Sequence, residues 1–117
     1  MTLDPHARLD ELEALAVGGH DGYGAPLDPR VRAHAETFFD ALTTERLPPP
    51  YVYRSESGGI QAEWTFGRHE VSVELSPTRA YAHVVDVDTG WMDELRAKVS
   101  GARSLAPFLA FVARFAI

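Results

Sequence analysis

The chain has 117 residues, 45% apolar and 24% charged, which are the proportions of an ordinary globular protein and exclude a disordered or fibrous one. That length suits a single domain over residues 1–117, and no apolar run reaches the roughly 20 residues needed to cross a bilayer. The absence of cysteine excludes disulfides, thiolate metal sites and a cysteine nucleophile. The opening Met1-Thr2-Leu3-Asp4-Pro5 has neither the basic nor the apolar region of a signal peptide, so a cytoplasmic location is expected. The net charge of −6 is unevenly spread: all seventeen acids lie in residues 1–95 with seven of the eleven bases. Residues 96–117 carry Arg96, Lys98, Arg103 and Arg114 and no acid. An acidic body disfavours direct nucleic-acid binding, and cations near the chain's end suit helix C-terminal regions.

Two helices are expected within residues 1–47. Asp4-Pro5 reads as an N-cap followed by proline at the first helical position. Leu9, Leu12, Leu15 and Ala16 then form a narrow apolar stripe, and Gly18-Gly19 stops the helix. After the loop His20–Pro26, Asp28-Pro29 is a second start, and Val31, Ala35, Phe38, Phe39 and Leu42 share one helical face. Pro48-Pro49-Pro50 is a stiff step into the sheet.

Residues 51–88 read as a four-stranded antiparallel meander. Tyr51-Val52-Tyr53 is the first strand. In the second and third, Ile60, Ala62, Trp64 and Phe66 alternate with polar residues, as do Val71, Val73 and Leu75. A Gly67-Arg68 type II′ turn sets Trp64 opposite Val71, Ala62 opposite Val73 and Ile60 opposite Leu75. The other face then pairs Glu63 with Ser72, Gln61 with Glu74 and Thr65 with Glu70. The fourth strand, Ala80–Asp88, has two possible facings. Direct closure pairs Leu75 with Ala80 and turns Ala82 and Val84 inward. One bulge residue instead buries Tyr81, His83, Val85 and Val87 and exposes Asp86 and Asp88, and this is the expected facing.

Residues 90–117 are read as one or two C-terminal helices. Met92, Leu95 and Val99 share a face of a short helix over Trp91–Val99, and Trp91 is expected to be exposed. Ser104 is the expected N-cap of a last helix, with Pro107 in its first turn. Leu105, Phe108, Leu109, Val112 and Phe115 form its core face, and Phe111 points elsewhere. A helix this apolar on every side needs cover on every side: either it lies deep between the sheet and the helical pair, or it is a surface for a partner or a second copy.

Asp21-Gly22-Tyr23-Gly24-Ala25, a following helix, Pro48–Pro50 and Gly58-Gly59-Ile60-Gln61-Ala62-Glu63-Trp64 together resemble a group of small bacterial proteins. Their pattern runs Trp-Asp-Gly-Tyr-Gly-Ala, helix, proline-rich step, Asp-Gly-Gly-Ile-x-x-Glu-Trp, and the likeness extends over roughly residues 9–75. His20 stands in place of the tryptophan and Ser57 in place of the aspartate. The group has no established activity, so the resemblance implies a bacterial fold and carries no catalytic residue.

The remaining chemistry is mostly excluded. Metal ligands must converge, yet His83 and Asp86/Asp88 fall on opposite faces of a strand, and His34 and Glu36 diverge on a helix. No metal and no cofactor is expected. Ser55-Glu56-Ser57-Gly58-Gly59 is not a nucleophile elbow, and Glu63, Glu70 and Glu74 read as solvated carboxylates. Tyr23, between Gly22 and Gly24, is either a displayed anchor or a plug under the helices. The expectation is a non-enzymatic protein-binding module, antitoxin-like or an accessory subunit, that neutralises or regulates a partner. The residues expected to carry binding are Tyr23, Gln61, Glu63, Glu70, Glu74, Trp91, Phe108, Phe111 and Phe115, with homodimerisation through the last helix. One alternative is a phage-type inhibitor, such as an anti-CRISPR, whose acidic face imitates nucleic acid. Another is a small enzyme using histidine and carboxylate groups.

Overall fold

A computed structural model describes residues 4–18, 27–55 and 58–116, the side chains of 15–18 excepted. The loop carrying His20 and Tyr23, and the residues Glu56 and Ser57, lie outside the described residues. The elements are α1 (Pro5–Gly18), α2 (Pro29–Thr44), β1 (Tyr51–Arg54), β2 (Ile60–Phe66), β3 (His69–Leu75), β4 (Arg79–Asp86), β5 (Met92–Lys98) and α3 (Ala102–Phe115). The strands form one antiparallel sheet in the order β1-β2-β3-β4-β5. Helices cover one face of it.

Both N-terminal helices start where their caps predict. Asp4 accepts the His6 N–H at 3.0 Å, and Asp28 accepts the Arg30 N–H at 2.8 Å. The α2 face Val31, Ala35, Phe38, Phe39 and Leu42 is buried. Arg32 ties the two helices together by reaching Asp10 (2.6 Å), Glu13 (3.0 Å) and Glu36 (3.0 Å). Hydrogen bonding to Asp10, reinforced by Glu36 and Glu13, raises its pKa further and holds it charged. At the end of α2 the Leu47 N–H reaches the Leu42 carbonyl (2.9 Å) and the Arg46 N–H reaches that of Thr43 (3.0 Å). This is a Schellman stop, and its left-handed position is held by Arg46 at φ 59° instead of glycine.

The β2–β3 register is the one the alternation and turn require, with Trp64 opposite Val71, Ala62 opposite Val73 and Ile60 opposite Leu75. Gly67 has φ 61° and Arg68 does not share it, as a type II′ turn demands. Trp64 donates its indole N–H to the Pro48 carbonyl at 2.8 Å and packs edge-on to Phe38. The proline step thus satisfies the one polar atom that burying Trp64 brings inside. At the β1–β2 loop Ser55 Oγ accepts the Gly59 N–H at 3.0 Å. A Cβ on Gly59 would overlap the Leu75 carbonyl oxygen and press on Ser55 Oγ.

Three expectations are corrected. First, the sheet has five strands, because residues 92–98 form β5 and not a short helix. Met92, Leu95 and Val99 suit a helix, but Leu95, Ala97 and Val99 equally suit period two. The unpaired backbone edge of β4 decides between them. Second, β4 closes directly: Ser76 donates both N–H (2.9 Å) and Oγ–H (3.0 Å) to the Arg79 carbonyl, and Leu75 pairs with Ala80. Ala80, Ala82, Val84 and Asp86 therefore face inward, and Tyr81, His83 and Val85 outward. The small alanines leave room beneath α3, which packs on β3, β4 and β5. Third, α3 begins at Ala102 instead of after Ser104. Ser104 braces the turn before it, accepting the Ser100 N–H (3.0 Å) and donating to the Gly101 carbonyl (2.6 Å). Phe111 is buried with the rest of the apolar face, against Phe115 and under Arg114. Only small or charged positions of α3, such as Ala106, Ala110 and Arg114, face outward.

Two stability changes follow. Gly59→Ala should lower the unfolding free energy by about 1–3 kcal/mol in urea titration, the usual cost of overpacking, and an unchanged midpoint would contradict the close approach to Leu75. Arg46→Gly should raise it by up to about 1 kcal/mol by relieving the left-handed strain, whereas a loss would show that the arginine side chain outweighs its backbone cost.

Candidate interaction face

Because the helices lie on one side, the other side of the sheet is an open face whose residues are fixed by register. One row across the strands reads Tyr53, Gln61, Glu74, Tyr81 and Arg96, and the next reads Tyr51, Glu63, Ser72, His83 and Glu94. A third runs Thr65, Glu70, Val85 and Met92. Tyr51 and Tyr53 are 48% and 40% exposed on the short edge strand. Beside them lies a groove of about 280 Å³ lined by Glu63, Glu70, Ser72 and His83 among others.

The face changes sign along its width. Glu63, Glu70 and Glu74 occupy β2 and β3, while Arg79, Arg96 and Lys98 occupy the far corner on β4 and β5. The boundary is a built cluster: Tyr81 donates its O–H to Glu94 Oε2 at 2.9 Å, and the Arg96 guanidinium lies 4.5 Å from the Tyr81 ring centre. The hydrogen bond to Glu94 holds the Tyr81 pKa above its ordinary value, with partial burial and the Glu94 charge adding to it and Arg96 opposing. A second groove of about 470 Å³ runs past Glu74, Arg79, Tyr81 and Arg96.

Of the residues expected to bind a partner, the open face brings together Gln61, Glu63, Glu70 and Glu74. Gln61 contacts Glu63 at 3.4 Å. Trp91 lies elsewhere, 47% exposed, where His69 and Phe115 pack around it. Phe108, Phe111 and Phe115 are core residues, so contact through them would require opening the fold. Ser72 stands opposite Glu63, as the β2–β3 register requires, whereas Tyr51, Tyr53, Tyr81, His83 and Arg96 were not foreseen on this face. Val52 alternating with Tyr51 and Tyr53 was a legible signal for the tyrosines, but the others depended on the facing of β4 and on residues 92–98 forming a strand.

Asp86, expected at the surface, is buried at the end of β4. It accepts the N–H groups of Asp88 (2.9 Å) and Thr89 (3.1 Å), and Arg68 Nε approaches it at 2.9 Å. His69 stands 3.8 Å away. It is therefore the keystone of the β4–β5 turn, linking it to the β2–β3 turn. Burial alone would raise its pKa, but the Thr89 and Asp88 hydrogen bonds with the charges of Arg68 and His69 outweigh it and hold the pKa low.

Among the described residues no three His, Cys, Asp or Glu side chains gather as a metal site, and no helix is long and apolar enough to cross a membrane. Ser72 and His83 are opposed on neighbouring strands, with Glu94 next in the row. No protein-family model, curated protein or solved structure matches the chain.

The low Asp86 pKa means that the unfolded chain binds more protons in acid. Its contribution is full above the unfolded value near 3.8 and is lost as pH falls through the folded value. Asp28, bonded to Arg30, and Asp93, bonded to Arg114, are lowered as well. Asp86→Asn should therefore lower the Tm at neutral pH and flatten, without abolishing, its fall in acid. An unchanged Tm–pH profile would contradict the keystone role.

Proposed function

We propose that the chain is a non-enzymatic protein-binding module that neutralises or regulates a partner protein, and that the open sheet face is its contact surface. The observation that carries this reading is the pair of half-exposed tyrosines, Tyr51 and Tyr53, standing beside a groove lined by Glu63 and Glu70. Tyrosine gives large, rigid contact area and is enriched among residues that dominate binding energy. The carboxylates beside it favour a partner segment bearing lysine or arginine. A nucleic-acid-mimicking surface is less well supported: Asp86 is inside the fold, and Arg79, Arg96 and Lys98 bound the acidic patch on one side.

Affinity capture from the native host, read by mass spectrometry, supplies the partner. Tyr51→Ala with Tyr53→Ala should then weaken its binding by about 30-fold or more, as loss of anchor residues does. Circular dichroism should show the fold intact. Glu63→Lys with Glu74→Lys should weaken it as well. A folded tyrosine variant that keeps full affinity refutes the open face as the contact surface.

A further inference from the structure

The two edges of the sheet are unequal. β1 has four residues, and Arg8 Nε already donates to its Val52 carbonyl at 3.0 Å. β5 has seven. The Asp86 N–H bonds the Trp91 carbonyl, and the Val99 N–H bonds the Thr78 carbonyl, at 2.8 and 2.9 Å. Antiparallel alternation therefore turns the backbone groups of residues 91, 93, 95, 97 and 99 toward β4. Those of Met92, Glu94, Arg96 and Lys98 point away from the sheet. Such a row is a template for another strand.

The side chains on this edge say which strand fits. Two β5 strands run antiparallel about a two-fold axis at Leu95 place Glu94 of each copy opposite Arg96 of the other. Met92 then lies opposite Lys98, whose methylenes can cover it. All four residues have outward backbone groups, so hydrogen-bonding parity and charge complementarity select the same register. On the helix side Leu95 meets its own copy, and Trp91 meets Val99. The arrangement covers Met92 and Trp91, which are 61% and 47% exposed in the single chain. It also borders an apolar groove of about 370 Å³ between β5 and α3, lined by Leu95, Pro107, Ala110 and Phe111 among others.

We infer that β5 is a homodimerisation edge, joining two copies into a continuous ten-stranded sheet through reciprocal Glu94–Arg96 pairs. The occupant is a second copy of this chain, because the edge is its own charge complement. Two local contacts must yield: the Glu94 N–H leaves Asp93 Oδ1 (2.9 Å), whose carboxylate Arg114 retains through Oδ2 (3.1 Å), and Arg96 exchanges Glu94 of its own chain (3.7 Å) for Glu94 of the second copy. The seam lies at β5, not at the aromatic face of α3, which the core already occupies.

Sedimentation equilibrium over a range of concentrations tests this. The wild-type chain should approach twice its 12.9 kDa mass. Glu94→Arg sets arginines against each other and Arg96→Glu sets glutamates against each other, so each should weaken self-association by about tenfold or more. Mixed in equal amounts, the two variants should form a heterodimer with wild-type-like affinity, because every cross-strand pair is again opposite in sign. Both substitutions lie at exposed positions and should leave the circular dichroism spectrum unchanged. A wild-type chain that stays monomeric, single variants that dimerise normally, or a mixture that fails to associate would each overturn the proposal.

Discussion

The whole molecule depends on one constraint: a sheet covered by helices on a single face must sort its side chains strictly by parity. Along each strand one set meets a helix and the other meets solvent, so a slip of one residue would exchange them. The β2–β3 hairpin sets that parity. Gly67 supplies the left-handed angle its turn needs, Trp64 falls opposite Val71, and the neighbouring strands inherit the register one after another.

The core explains why the other face stays polar. Phe38, Phe39 and Phe108 are fully buried between helices and sheet, and Ala80 and Ala82 make space for the aromatic side of α3. Tyr81, His83 and Val85 are displaced outward by the same closure. The bulk that the opposite facing would bury becomes surface, next to Arg96 and the glutamates of β2 and β3. Asp86 makes this facing tolerable: an inward carboxylate at the end of β4 persists because two backbone N–H groups and Arg68 meet it.

Much of this was legible in the residues. The α2 stripe, both aspartate caps and the full β2–β3 register follow from periodicity and turn chemistry. These are local signals that agree with one another. The errors share a cause: they concern positions where local patterns are degenerate and distant packing decides. Ala80–Asp88 suits either facing by hydrophobicity, and the short Ser76–Arg79 turn selects the less bulky one. Residues 92–98 suit helix or strand, and only the open edge of β4 resolves them. Half of the candidate face was therefore visible, through Gln61, Glu63, Glu70 and Glu74. The half that depends on β4 and β5 was not. The surplus apolar character of α3 was real, but the helix spends its aromatic side on the core and shows mainly small side chains outside.

The central claim, that the open sheet face meets the partner, is tested most directly by oxidative footprinting of the captured complex against the free chain. Tyr51, Tyr53 and Tyr81 should become protected while Phe108 and Phe111 stay unreactive in both states. Full reactivity of Tyr51 and Tyr53 within the complex, with protection confined to the helix-covered side of the fold, would contradict it.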